Sequence, residues 1–186
     1  MRQTLVIFSG LPGTGKTTFA KRLARELQVP YLCIDDVVGD VPENPTVQFW
    51  DSKVAVLLEL TERQLELGLS VIVDSVFMNT DRHHAQSLAR KYGVRFRPIY
   101  TFVSEESIWQ ERVMKRHEES AHIAADWEQI ENQRNHFLEW EPGTALFIDA
   151  MEPCEKNHLK ILSFVQQDVT TLYPLTEVDL IKGSYH

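Results

Sequence analysis

The chain has 186 residues, 43% of them hydrophobic, which suffices for one domain with a proper core and argues against a second. Its formal net charge of −8 and sequence pI near 5.4 oppose non-specific attraction to nucleic acid or an anionic membrane, although a local basic patch is compatible with both numbers. Two cysteines, Cys33 and Cys154, are too few for a disulfide framework, the short N-terminal apolar run is no signal peptide, and no window approaches a membrane span. The expectation is a single cytoplasmic domain over residues 1–186.

In chain order, the apolar run 4–8 reads as a first strand, followed by the complete pattern G-x-x-x-x-G-K-[ST] at residues 10–17. Glycines let the backbone wrap phosphate oxygens, Lys16 supplies a compact positive charge, and Thr17 offers a hydroxyl to Mg²⁺. A helix over 18–27 then turns its N-terminal N–H groups and dipole toward the anion. Gly10, Gly13, Thr14, Gly15, Lys16, Thr17 and Thr18 are therefore the expected contacts to a nucleoside triphosphate. The alternative is a glycine-rich turn that only joins strand to helix.

Residues 30–34 read as a second strand ending at Asp35 and Asp36, and a loop with Pro42 and Pro45 follows. Val47, Trp50, Val54, Leu57, Leu58 and Leu65 fall at helical spacing, Glu59 and Arg63 form an i,i+4 pair, and Gly68 is placed to end that helix. Residues 69–73 read as a buried strand finishing at Asp74. Asn79 or Thr80 is placed to cap a helix carrying Ala85, Leu88, Ala89 and Tyr92, which stops at Gly93. Residues 96–103 supply a fourth strand, and Ser104 starts a helix with Glu105 and Glu106 in its first turn and Lys115 and Arg116 near its end. Asp126 begins a further helix with Trp127, Ile130, Phe137 and Leu138 inward, residues 141–143 turn, 145–148 form a fifth strand, and a last helix runs over about 154–172. The aromatic stripe reads as core rather than as a base-stacking platform. Alternating strands and helices without repeats give an α/β class with a parallel sheet covered on both faces.

In open parallel sheets the ligand sits beyond the carboxyl ends of the strands. Asp35 and Asp36 stand at one such end, where a carboxylate can take the proton of an attacking hydroxyl; the alternative is a pair that caps the next loop. Asp74 stands at another, where Walker-B-like acids bind Mg²⁺, the alternative being a strand-end residue bonded to nearby backbone. Arg112 and Arg116 share a helical face, and like charges at that spacing cost roughly 0.2–0.5 kcal/mol unless an anion sits between them. They read either as cations for the transferred phosphoryl group or as a solvated face in which Arg116 pairs with Glu119. A loop-like stretch over 118–125 makes residues 112–126 a candidate lid. The seven histidines show no recognisable metal-binding spacing, and no G-x-S-x-G elbow occurs.

Over about residues 5–149 these features resemble the small phosphate-loop kinases that include the 5′-hydroxyl polynucleotide kinase domain, chloramphenicol phosphotransferase and the zeta toxins. The resemblance implies a P-loop NTPase, nucleoside-kinase-like fold: a three-layer sandwich with a five-stranded parallel sheet and a short helical lid. It implies ATP and Mg²⁺ as cofactors and Asp35, the first of the pair, as general base. It also matches Arg112 and Arg116 to lid arginines, and Asp74, Ser75 and Arg82 to the acidic strand end and its downstream arginine. Polynucleotide kinases carry an arginine three residues after the base, and Val38 stands there instead.

The leading expectation is an ATP-dependent, Mg²⁺-requiring kinase acting on a hydroxyl of a small-molecule or nucleotide-like acceptor. A nucleic-acid 5′-kinase is disfavoured by the acidity and by Val38. The competing class is a nucleotide-binding or hydrolysing regulatory module, weakened by the lack of an N-K-x-D guanine-reading motif and by a length short for an AAA-type motor.

Overall fold

The computed structural model describes residues 2–38, 49–119 and 125–167. Five strands, β1 (Thr4–Ser9), β2 (Tyr31–Cys33), β3 (Val71–Asp74), β4 (Arg95–Phe102) and β5 (Leu146–Asp149), form one all-parallel sheet in the order β2-β3-β1-β4-β5. The helices are α1 (Lys16–Leu27), α2 (Ile34–Val38), α3 (Phe49–Glu66), α4 (Asn79–Lys91), α5 (Glu106–Glu119), α6 (Trp127–His136) and α7 (Cys154–Gln166). None of them is long and apolar enough to cross a membrane.

The central strand explains the three layers. All six residues of β1 are buried, and their side chains alternate between two cores, as strand geometry requires. Leu5 and Ile7 pack with Val71 and Val73 against Val54, Leu57 and Leu65 of α3 and Ala85 and Ala89 of α4. Val6 and Phe8 pack with Ile72, Ile99 and Ile148 against Phe19 and Leu23 of α1 and Ile161 and Val165 of α7. A third cluster, including Trp109, Val113 and Ile130, covers the carboxyl end of the sheet. The expected α/β sandwich with five parallel strands is the observed one.

The element ends depart from expectation where tertiary bonds decide them. Leu69 is 42% exposed and precedes β3, because the chain is still leaving α3: its N–H donates to the Gln64 carbonyl at 3.1 Å and Gly68 adopts φ 76°. Neither Asn79 nor Thr80 caps α4. Met78 takes that place, and its N–H donates to the Asp81 carboxylate at 2.9 Å. Ser104 does not start α5 either, since its N–H donates to Asp149 Oδ1 at 3.2 Å and the Glu105 carbonyl accepts the Trp109 N–H at 3.0 Å. Asp126 does cap α6, accepting the Gln129 N–H at 2.8 Å, but Leu138 lies past the helix end and is 50% exposed. Helix α7 stops at Gln166 because Gln167 is extended. The expected loop through Pro42 and Pro45, Val47, and the last residues of that helix beyond 167 lie outside the described residues.

Two arginines on β4 are buried, which no periodicity in the sequence signals. Arg97 donates from Nη2 to the Gln167 carbonyl at 2.7 Å and from Nε to the Phe164 carbonyl at 3.1 Å, and Arg95 reaches the same Gln167 oxygen at 2.8 Å. They satisfy the terminal carbonyls of α7 and oppose the negative end of its dipole.

Because Leu57 is fully buried and Leu67, one residue past α3, is 72% exposed, truncating each to alanine separates core from surface. Leu57→Ala is expected to lower unfolding free energy by about 2–5 kcal/mol and Leu67→Ala by less than about 0.5 kcal/mol, read from denaturant titrations.

Candidate nucleotide and phosphoryl-transfer site

The phosphate loop leaves β1 through a backbone that only glycine allows. Gly10 has φ 140°, and a Cβ there would stand 2.3 Å from the Thr101 carbonyl oxygen; at Gly13, φ 81°, it would stand 2.8 Å from Val113 Cγ2. Thr14 Oγ1 donates to the Leu11 carbonyl at 2.8 Å and meets Thr101 Oγ1 at 2.9 Å, so its side chain braces the loop from behind. Helix α1 then starts at Lys16, two residues before the expected start, and presents its free N–H groups to the loop. Thr18 is exposed in its first turn.

Lys16 folds back over the loop and donates to the Leu11 carbonyl at 3.0 Å. Burial lowers its pKa from the ordinary lysine value, with the carboxylates of Asp74 and Asp35 opposing the shift.

Three strand ends meet in a cleft of about 170 Å³ lined by Lys16, Thr17, Asp35, Asp74, Arg116 and Gln133, among others. At its floor Thr17 Oγ1 donates to Asp74 Oδ2 at 2.6 Å, and the Tyr31 hydroxyl donates to the same oxygen at 3.0 Å. Burial first, and then the Asp74 charge, push the Tyr31 phenol far above its ordinary value, so it remains a donor. A hydroxyl and a carboxylate held together beside a phosphate loop are the hard oxygen donors that Mg²⁺ takes, alongside phosphate oxygens and water. The residues therefore fit that ion.

Asp35 and Asp36 occupy the first turn of α2 and diverge. Asp35 lines the cleft and pairs with Arg116 at 3.6 Å, whereas Asp36 pairs with Lys21 of α1 at 3.6 Å. Arg116 thus reaches across the cleft instead of pairing with Glu119. Arg112, one turn earlier, donates from Nη2 to the Ala150 carbonyl at 3.4 Å, beside the loop glycine Gly15. The helix that carries both is fastened to the phosphate loop by Trp109, whose Nε1 donates to the Pro12 carbonyl at 2.8 Å. Of the expected lid over 112–126, residues 120–124 lie outside the described residues, and Ala125 lines the cleft.

Arg82 stands apart from these groups. Its guanidinium lies between the Phe137 ring, 4.7 Å from the centroid, and the Trp140 ring, at 4.6 Å, and Nε donates to the Phe77 carbonyl at 2.8 Å. Burial lowers its pKa to about 10. Phe77 has φ 53°, so this bond supports a left-handed residue in the turn after β3.

Sequence reasoning passed over Tyr31, Trp109 and Gln133. Trp109 and Val113 share the i,i+4 spacing of the adjacent Arg112 and Arg116, a signal for a helix with one face on the loop. Tyr31 and Gln133 carry no local signal.

Residues 5–139 match the family described as an AAA domain. The chain belongs to that family. The match assigns a family and no activity, and a comparison with curated proteins gives no match. Among solved structures, the chain is similar to a protein of Chloroflexus aurantiacus j-10-fl assigned provisionally as a kinase, with TM-score 0.69, 23% identity, and coverage of 89% of this chain and 96% of that one. A sugar kinase from Janibacter sp. HTCC2649 gives TM-score 0.67, 18% identity and coverage of 88% and 94%. The APS kinase CysC of Mycobacterium tuberculosis, solved with AMPPNP and APS, gives TM-score 0.65, 15% identity and coverage of 89% and 99%. At these identities the likeness carries the fold, which is the α/β fold of P-loop kinases.

The buried ammonium and the sandwiched guanidinium lead to opposite expectations. Lys16→Ala removes a part-buried ammonium that no aromatic ring among the described residues encloses, so the protein without nucleotide should melt close to wild type, yet lose the rise in melting temperature that ATP with Mg²⁺ produces. Arg82→Met should lower unfolding free energy by about 1–3 kcal/mol, the scale of a lost buried hydrogen bond, and keep that rise. Thermal melts with and without nucleotide check both.

Proposed function

We propose that the protein is an ATP-dependent, Mg²⁺-requiring phosphotransferase that moves the γ-phosphoryl group to a hydroxyl of a small-molecule or nucleotide-like acceptor. The observation that carries this reading is the Asp35–Arg116 pair set in the same cleft as Lys16, Thr17 and Asp74. A site for binding nucleotide alone has no need of a carboxylate opposite its phosphate loop. A kinase needs one to take the acceptor's proton.

The residues divide the work as follows. The loop N–H groups, the α1 terminus and Lys16 hold the β- and γ-phosphates. Thr17 and Asp74 would hold Mg²⁺, which neutralises phosphate charge when bound. Asp35 accepts the proton of the acceptor hydroxyl, whose oxygen bonds to the γ-phosphorus as the bond to the β-bridging oxygen breaks and ADP leaves. Asp35 and Arg116 are both about half exposed, so their ion pair is worth at most about 1 kcal/mol. That is small against the 2–4 kcal/mol typical of a preorganised donor meeting transition-state charge, so Arg116 is free to exchange Asp35 for the phosphoryl oxygens. Arg112, on the same helix, is the second cation of this reading.

The walls near Asp35 include Ile34, Val76, Val113 and Ile130, with Gln133 as a polar neighbour, which suits a compact acceptor with an apolar body. The net charge of −8 and Val38 disfavour a nucleic acid. The motifs support a kinship with the polynucleotide kinase, chloramphenicol phosphotransferase and zeta toxin group as part of this proposal. The free thiols of Cys33 and Cys154 suit a cytoplasmic setting.

The test is ATP consumption with and without a panel of hydroxyl compounds, including oligonucleotides: a kinase consumes ATP in step with one acceptor, and a regulatory ATPase does so regardless of acceptor. Asp35→Asn is expected to lower acceptor phosphorylation by about 10²-fold or more with ATP affinity nearly unchanged, and Asp36→Asn to have a small effect. Arg116→Ala and Arg112→Ala should each lower turnover at saturating ATP by an amount equivalent to about 2–4 kcal/mol, with melting temperatures close to wild type.

A further inference from the structure

Asp74 Oδ2 receives two hydroxyl donors from two different elements. Thr17 approaches from the first turn of α1, at 2.6 Å, and Tyr31 from the edge strand β2, at 3.0 Å. Thr17 is part of the phosphate loop motif and needs no further explanation. Tyr31 belongs to no motif, and a phenol ending on the carboxylate at the floor of the cleft does.

The strand pairing puts it there. In the parallel ladder of β2 and β3, Cys33 lies opposite Asp74 and Tyr31 opposite Ile72, so the tyrosine starts two residues short of the carboxylate. Its ring spans the gap, packs with the α1 and α7 core, and has the Lys21 ammonium 5.5 Å from its centroid. Lys21 is itself paired with Asp36 at 3.6 Å. The ring is therefore held against that core, and its hydroxyl reaches the Asp74 carboxylate with the Cys33 thiol as a second polar neighbour. A carboxylate at a strand end turns about its last bond when a single donor holds it. Two donors on one oxygen fix its plane.

We propose that Tyr31 is a positioning residue for Asp74: its hydroxyl fixes the carboxylate in the orientation from which Asp74, with Thr17, takes Mg²⁺ together with the nucleotide. This rests on the reading of the cleft as a nucleotide–metal site, and it is independent of any acceptor. Outer-shell groups of this kind change metal affinity by about 10–100-fold when removed.

Tyr31→Phe keeps the ring, its packing and its contact with Lys21, and removes the hydroxyl alone. The experiment is calorimetric titration of AMPPNP into wild type, Tyr31→Phe, Asp74→Asn and the double variant, each in excess Mg²⁺ and again in EDTA. The ratio of the two affinities measures how strongly metal and nucleotide bind together. Tyr31→Phe should leave the affinity in EDTA unchanged, reduce the ratio about tenfold, and shift melting in EDTA little. In the Asp74→Asn background it should cause no additional loss, because the hydroxyl acts through that carboxylate. A wild-type ratio in Tyr31→Phe, an equal loss in EDTA, or a further loss beyond Asp74→Asn each overturns the positioning role while the kinase reading stands. If wild type binds no AMPPNP in either condition, both readings fall. If the ratio falls as expected and no acceptor is phosphorylated, the positioning role stands and the kinase reading falls.

Discussion

The structure depends on how closely its phosphate loop is held. Gly10 passes the Thr101 carbonyl with no room for a side chain, Gly13 lies under Val113, and the Pro12 carbonyl is taken by the Trp109 indole. Strand β4 and helix α5 thereby press on the loop from two directions, and Thr14 ties it to β4 through the Thr101 hydroxyl. A loop so confined has little freedom left to lose on binding, which lowers the ordering cost of any ligand it takes. It also explains why α5 stands where it does. The helix that carries Arg112 and Arg116 is bonded to the phosphate loop itself through Trp109.

The cleft sets two cations, Lys16 and Arg116, against two carboxylates, Asp35 and Asp74. Lys16 is desolvated and donates to a carbonyl, and Arg116 is occupied by a weak, half-exposed pair with Asp35. Coulomb attraction at this exposure is screened enough that the pair holds Arg116 near the cleft without trapping it. Asp74 is the opposite case, 2% exposed and bonded by two hydroxyls. Arg116 is thus the weakly held charge of the cleft and Asp74 the firmly held one.

Much of this was legible from local sequence. The phosphate loop, the strand end at Asp74, the sheet and the helical spacing of Arg112 and Arg116 all follow from short-range patterns, because phosphate binding and strand burial each impose a fixed spacing, whereas the second strand was read two residues too long and ends at Cys33, before Asp35. What escaped was decided by distant partners. Arg82 matched a family arginine in sequence, yet Phe137 and Trp140, more than fifty positions later, enclose it away from the cleft. Arg95 and Arg97 interrupt the alternation of β4 because their partners are the carbonyls at the end of α7. Leu69 and Leu138 read as inward from spacing alone, but each falls just outside the element whose period was applied to it.

The adjacent carboxylates show how a small structural detail resolves an ambiguity that spacing leaves open. Read as strand residues, Asp35 and Asp36 would point to opposite faces, and either might meet a substrate according to where the strand ends. They instead begin the five-residue helix α2, in which neighbours diverge by about 100° and do not share a face. One therefore turns into the cleft toward Lys16 and Arg116, while the other turns onto α1 and binds Lys21. Lys21 in turn covers the ring of Tyr31, whose hydroxyl holds Asp74. The second aspartate is thus tied, through one lysine and one tyrosine, to the orientation of the acid on the cleft floor. The pair divides into a residue that faces the cleft and a residue that packs onto α1.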